Sequence, residues 1–195
     1  MKKILLVVFM LAATVISVNA QVPDVDSAII IVKEKGVYEQ KRVVYVDNTK
    51  ASTLYRRAME ALSDWTGTDG RSRAGLDYCD KDEGIVTYKG VFYNGYRKLI
   101  LGATLPFYTD FTLKVRCKDG RAQVTVTVPT MHTVLDTGEK KMWTVREIVD
   151  AQEKATEKAK EKAKKKTNAI SMREVVNILL ENMEGALRQE KDEDF

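Results

Sequence analysis

The chain has 195 residues, 44% hydrophobic and 31% charged, with 32 basic and 28 acidic side chains, two Cys and one His. That length suits one domain or slightly more, and the composition excludes wholesale disorder, collagen and a multi-pass membrane protein. A single His and two Cys exclude a multi-ligand zinc site and a disulfide-dense mini-protein, and a net charge of +4 is too mild to imply nucleic acid.

The N-terminus carries the most specific signal. Lys2 and Lys3 precede an apolar run, Ile4–Val18, and Val18-Asn19-Ala20 fits a signal-peptidase site. The run is short for a membrane span, and no basic stop-transfer segment follows. The expected product is a periplasmic or secreted protein, cleaved after Ala20 and not stably inserted in a membrane. Losing Lys2 and Lys3 leaves 30 basic against 28 acidic side chains, a surface close to neutral.

The mature chain divides into an α+β sheet domain (21–128), a loop and Lys/Glu/Ala-rich helix (129–168), and an amphipathic helix with an acidic tail (169–195). Ala28–Val32 is β-branched and predicts a buried strand. Lys33–Gln40, with Gly36, predicts a turn, and Arg42–Val46 further strand. Ala51, Leu54, Ala58, Leu62 and Trp65 recur at spacings of three and four and predict a helix capped by Asn48 or Thr49. Gly67 is placed to stop it, and residues 66–75 read as a loop.

Leu76–Cys79 and Ile85–Tyr93 then predict two strands joined by Lys81-Asp82-Glu83-Gly84. A loop holding Pro106 leads to a hairpin of Phe111–Cys117 and Arg121–Val128, with Asp119-Gly120 as a type I′ signal. Phe111, Leu113, Val115 and Cys117 share one face of it, as do Ala122, Val124, Val126 and Val128. Residues 130–142 read as a loop and Trp143–Lys166 as a charged helix. Met172, Val175, Val176, Leu179, Met183 and Leu187 mark the last helix, opened by a Ser171/Glu174 capping box. The order predicts an antiparallel sheet of about five strands with helices on one face, plus the charged helix before the last one.

Three stretches, VDNTKASTLYRRAMEALSDW (46–65), LDYCDKDEGIVTYKG (76–90) and FTLKVRCKDGRAQVTVT (111–127), together resemble a family of exported Bacteroides-type domains of unknown function. The resemblance covers about residues 28–128 and implies export and a fold like that of the TATA-binding protein. Its marks are Leu54-Tyr55 opening a helix that ends in Trp65, the acidic turn Asp80–Gly84 and the Lys118-Asp119-Gly120 hairpin. Trp143–Lys166 departs from it as an insertion. A shared fold does not carry DNA binding with it, and the family offers no functional residues to transfer.

Several residue groups invite a functional reading. Cys79 and Cys117 form an even pair near strand ends, which permits a disulfide, but alternation sets them on opposite faces and favours two separate thiols. Asp77, Asp80, Asp82 and Glu83 could hold Ca²⁺ or serve a hydrolase, yet they lack EF-hand spacing and are ordinary turn chemistry. Gly70–Gly75 is neither a nucleophile elbow nor a P-loop. The seven Lys of 154–166 read as a solvated face. Nearly half the aromatics fall between Tyr88 and Phe111. Most are expected in the core, while Tyr93, Tyr96, Phe107 and Tyr108 could form a ligand platform with Arg97 and Lys98 at its rim.

No nucleophile–base pair is evident, so the expectation is a non-enzymatic binding or scaffolding domain of the cell envelope. It has no catalytic residues, cofactor or metal, and its partner is an envelope protein, peptide or glycan. The alternative is a periplasmic hydrolase using carboxylates of the 77–83 turn.

Overall fold

The computed structural model of the chain describes residues 31–32, 36–65, 75–99, 103–154, 156 and 168–189. Its strands are β1 (Ile31–Val32), β2 (Val37–Tyr45), β3 (Gly75–Asp80), β4 (Ile85–Lys98), β5 (Thr104–Lys118), β6 (Arg121–Val134) and β7 (Lys140–Thr144). Its helices are α1 (Ala51–Trp65), α2 (Val145–Lys154) and α3 (Met172–Arg188). The strands form one antiparallel sheet in the order β1-β2-β6-β5-β4-β3, with β7 continuing beyond β2 along the same edge of β6. The α+β class and the layer of helices on one face are as the sequence implies. Seven strands occur among the described residues, against about five expected.

Alternation builds the core. Leu105, Phe107, Phe111, Leu113, Val115 and Cys117 of β5 and Ala122, Val124, Val126 and Val128 of β6 are all buried beneath the helices. In register, Leu113 pairs with Tyr88 of β4 and Val126 of β6 at the centre of the sheet. Leu54, Ala58 and Leu62 of α1 and seven side chains of α3, Leu180 among them, close this layer. The capping box is present: the Glu174 amide donates to Ser171 Oγ at 3.2 Å, and the Ser171 amide donates to Glu174 Oε2 at 2.7 Å.

Elsewhere the structure departs from the sequence reading. β2 already begins at Val37, so the second half of the expected 33–40 turn is strand. Neither Asn48 nor Thr49 caps α1. Asn48 is left-handed, at φ 57°, and the Thr49 hydroxyl donates to the Asp47 carbonyl. The cap comes instead from the β5–β6 hairpin, where Asp119 Oδ1 accepts from the Ala51 amide at 2.8 Å. A carboxylate there also complements the positive end of the helix dipole. Because Asp119 keeps a negative φ and Gly120 alone of the pair is positive, the hairpin turn is not type I′.

Pro106 lies within β5 rather than in a loop, and its carbonyl accepts from the Thr133 hydroxyl. Pro129 does not end the hairpin either. The register slips by one residue between Asp110/Thr130 and Thr112/Thr127, a bulge that accommodates a residue without an N–H. β6 therefore runs to Val134 and turns at Gly138 into β7, so residues 130–142 are mostly strand and Trp143 belongs to β7. The helix after it is described only over Val145–Lys154. Residues 1–30, Gly67 and most of the Lys-rich stretch lie outside the described residues. Among those described, no helix is long and apolar enough to cross a membrane.

Beyond β3's reach, the edge of β4 is completed by the segment before α3. The amides of Asn168 and Ile170 donate to the carbonyls of Tyr96 and Asn94, at 3.1 and 2.9 Å. Asn168 Oδ1 accepts from the Tyr96 amide at 2.8 Å.

Candidate functional site

All three described helices lie on one face, and among the described residues the other face of the sheet is left open. On it, cross-strand pairing sets Tyr93, Tyr108, His132 and Met142 in one row over β4, β5, β6 and β7. The Tyr93 and Tyr108 rings lie 5.5 Å apart and inclined by 50°, and Tyr108 stacks on the His132 imidazole at 5.0 Å and 15°. Tyr93 is 49% and Met142 53% exposed, so both ends of the row meet solvent, whereas His132 between them is buried.

Two residues along on the same face, Asp110 Oδ2 accepts from the Thr130 hydroxyl at 2.8 Å and lies 2.9 Å from His132 Nδ1. Burial alone would raise the Asp110 carboxyl, but the bonds from His132 and Thr130 outweigh it and hold the group below the usual carboxylate range. The sign follows by linkage. A folded-state value below the unfolded one gives stability that is present above the ordinary carboxylate range and lost as pH falls through the folded value. Asp110→Asn is therefore expected to flatten the acid limb of a urea-midpoint profile taken between about pH 2 and 5. An unchanged limb would show that the Asp110–His132 contact contributes nothing.

The four platform residues of the sequence reading are separated. Tyr93 and Tyr108 sit together on the open face, and Tyr96 joins them one row along, opposite Pro106. Phe107 points to the other side, 4% exposed, with its ring 6.2 Å from Trp143. Arg97 pairs with Leu105 and shares its buried face, so it is no rim residue; its Nε has no hydrogen-bond partner among the described residues. Tyr88 packs in the core between Trp65 and Phe111. On β4 a one-residue slip between Tyr93 and Gly95 reverses the faces beyond it and so sorts Tyr96 and Arg97, whereas β5 alternates unbroken and carries Phe107 on the same side as Phe111.

The sequence reading missed His132, Thr130 and Met142 because a loop was expected at 130–142, and Asp110 because it fell in the loop expected before Phe111. The alternation of Thr130-Met131-His132-Thr133-Val134 was the available signal, masked by Pro129.

The other candidates resolve differently. Cys79 and Cys117 are separate thiols. β4 lies between their strands, a separation of about 9.5 Å by strand spacing, beyond disulfide reach. Cys79 contacts Met59 Sδ at 3.5 Å, and burial pushes the Cys117 thiol up to about 12. In the acidic turn, Asp80 Oδ1 accepts from the amides of Asp82 and Glu83, its Oδ2 accepts from the Tyr78 hydroxyl, and Asp77 pairs with Lys89 at 2.9 Å. No metal-holding group of three His, Cys, Asp or Glu occurs among the described residues. A shallow cleft between α1 and α3, lined by Arg57, Glu60, Asp64 and Trp65, lies on the helical side, away from the aromatic row.

Comparison with known proteins agrees with this architecture. The chain is similar to a crystal structure of a DUF4468 family protein from Bacteroides ovatus, at 12% identity and TM-score 0.51, over 88% of this chain and 92% of that one. It is also similar to a TBP-like protein from Parabacteroides distasonis, at 15% identity and TM-score 0.50, over 80% of this chain and 96% of that one. At such identities the likeness establishes the fold. No curated protein matches. Residues 41–131, just under half of the chain, match the model described as "Domain of unknown function (DUF4468) with TBP-like fold".

Proposed function

We propose that the protein is an exported, non-enzymatic binding or scaffolding domain of the cell envelope that receives its ligand on the open face of the sheet, along Tyr93, Tyr108 and His132. One observation carries the reading: no described residue covers the exposed end of the stacked row at Tyr93, while the three described helices crowd the opposite face. Stacked rings offer a flat apolar surface to a sugar or peptide at little entropic cost, and the Asp110 carboxylate beside them accepts hydrogen bonds. Export rests on the Lys2-Lys3, Ile4–Val18 and Val18-Asn19-Ala20 pattern. The non-enzymatic reading draws support from Asp80, whose oxygens are committed to the turn they close.

The test is a binding screen of the mature chain against envelope glycans and peptides. A ligand of this face should lose about tenfold in affinity on Tyr93→Ala or Tyr108→Ala, the scale of one lost aromatic contact. Thr125→Ala, farther down the same face, should leave binding unchanged. Full affinity in both tyrosine variants refutes the platform.

A further inference from the structure

We infer that a linear polyanionic glycan, bearing carboxylate or sulfate groups at recurrent intervals, docks on a basic corner of the open sheet face. Lys114, Arg116, Lys118, Arg121 and Tyr45 build this corner. It lies at the far end of β5 from the aromatic row, and the inference does not depend on a ligand there.

The corner follows from register. Lys114, Arg116 and Lys118 alternate outward along β5 and are exposed, while Val115 and Cys117 between them are buried under the helices. Arg121, also exposed, directly opposes Lys118 across the hairpin, and Tyr45 of β2 directly opposes Arg121. Val44 and Ala122 face the helices, so Tyr45, 60% exposed, shares the open face with these cations. Side chains two apart on a strand recur about every 6.8 Å, so the cations run for about 14 Å along β5 before turning across β6 to the ring.

Neighbouring carboxylates are committed elsewhere. Glu39 pairs with Lys41 and Asp77 with Lys89, each at 2.9 Å. Asp119 Oδ1 accepts from the Ala51 amide on the helical side, and Asp80 closes its own turn. Among the described residues none of the four cations forms an ion pair. Lys118 and Arg121, directly opposite each other, repel, and an anion between them relieves the repulsion.

The layout selects the class of anion. A single small anion could engage only the Lys118–Arg121 pair, whereas cations repeated along a strand match charges repeated along a chain. An exposed ring offers a sugar a stacking surface, and Arg groups bind oxyanions in bidentate fashion. The cores of protein interfaces are depleted in Lys, the reverse of this corner. Val43 is its only exposed aliphatic side chain among the described residues, which gives a bilayer little to bury. The choice of glycan over nucleic acid rests on the export reading above.

The experiment measures binding of the full chain to oligogalacturonate, which carries carboxylates, and to dextran sulfate. Neutral dextran, a single-stranded oligonucleotide and anionic lipid vesicles form the other arms. At least one anionic glycan should bind, and neutral dextran should not. Four contacts at about 0.7 each, the dependence of single-stranded polyanions, should cost on the order of fiftyfold in affinity between about 50 and 200 mM salt. Arg116→Ala with Arg121→Ala should reduce that fall to on the order of sevenfold without moving the unfolding midpoint. Arg116→Lys with Arg121→Lys should keep the steep dependence. Tyr45→Ala should weaken binding about tenfold, whereas Tyr93→Ala should not change it. A loss in Tyr93→Ala would overturn the proposal by moving the glycan to the aromatic row. So would failure of both anionic glycans, equal binding of neutral dextran, or tighter binding of the oligonucleotide or vesicles. Full affinity in Tyr45→Ala, or an unchanged salt dependence in the double alanine variant, would overturn it as well.

Discussion

Leu113→Ala should lower the free energy of unfolding by about 4 kcal/mol, the largest single-residue loss expected on the sheet. Leu113 is fully buried on the middle strand, with Tyr88 and Val126 beside it in register. Truncation removes the transfer energy of the side chain and leaves a cavity. That cavity cannot close easily, because a hydrogen-bonded sheet forms its floor and α1 its roof. Total stability of a domain this size is about 5–15 kcal/mol, so the variant is near the edge of folding at ambient temperature. Lys114→Ala, one residue away but on the open face, should change stability by less than about 0.5 kcal/mol. Urea denaturation of the two variants reads the difference, with the midpoint moving for Leu113→Ala and the slope unchanged. Similar midpoints for both would mean that the faces of β5 are assigned wrongly.

That contrast also marks what the sequence could and could not say. Faces were legible wherever alternation ran unbroken, as over Phe111–Cys117 and Arg121–Val128, and α3 was legible because its apolar stripe and capping box agree. Legibility failed where backbone irregularities do the sorting. The slip between Tyr93 and Gly95 turns Tyr96 to the open face and Arg97 to the core, and nothing in the sequence of β4 announces it. Pro129 reads as a stop, yet a bulge absorbs it and carries β6 on to His132. The cap of α1 was hidden for another reason: Asp119 reaches Ala51 from 68 residues away, and a local capping pattern cannot register a tertiary partner. Half the aromatic row was therefore readable as residue types, and none of it as a row.

Gly95→Ala should cost about 3 kcal/mol and loosen the segment that leads into α3. Gly95 sits at φ 119°, a conformation L residues rarely adopt, so any side chain strains the backbone there. A Cβ would also stand 2.9 Å from Asn168 O and 2.9 Å from Ala169 Cα, both backbone atoms. Neither can swing aside as a side-chain tip would. Relief requires residues 168–170 to lift from β4, breaking the amide bonds to Tyr96 and Asn94 and the Asn168 Oδ1 contact with the Tyr96 amide. Strain and displacement fall on one joint, so their costs combine rather than average. Hydrogen exchange isolates that joint: the Asn168 and Ile170 amides should lose protection in Gly95→Ala beyond the global loss, while the central β5 and β6 amides follow global stability. Gly120→Ala supplies the comparison, because Gly120 has φ 73° but no atom within 4 Å of its Cβ position. That variant should show strain alone, about 1–2 kcal/mol, and leave the 168–170 amides protected relative to the rest. If the two glycine variants match in both energy and exchange pattern, the close approach of 168–170 to β4 has no energetic weight.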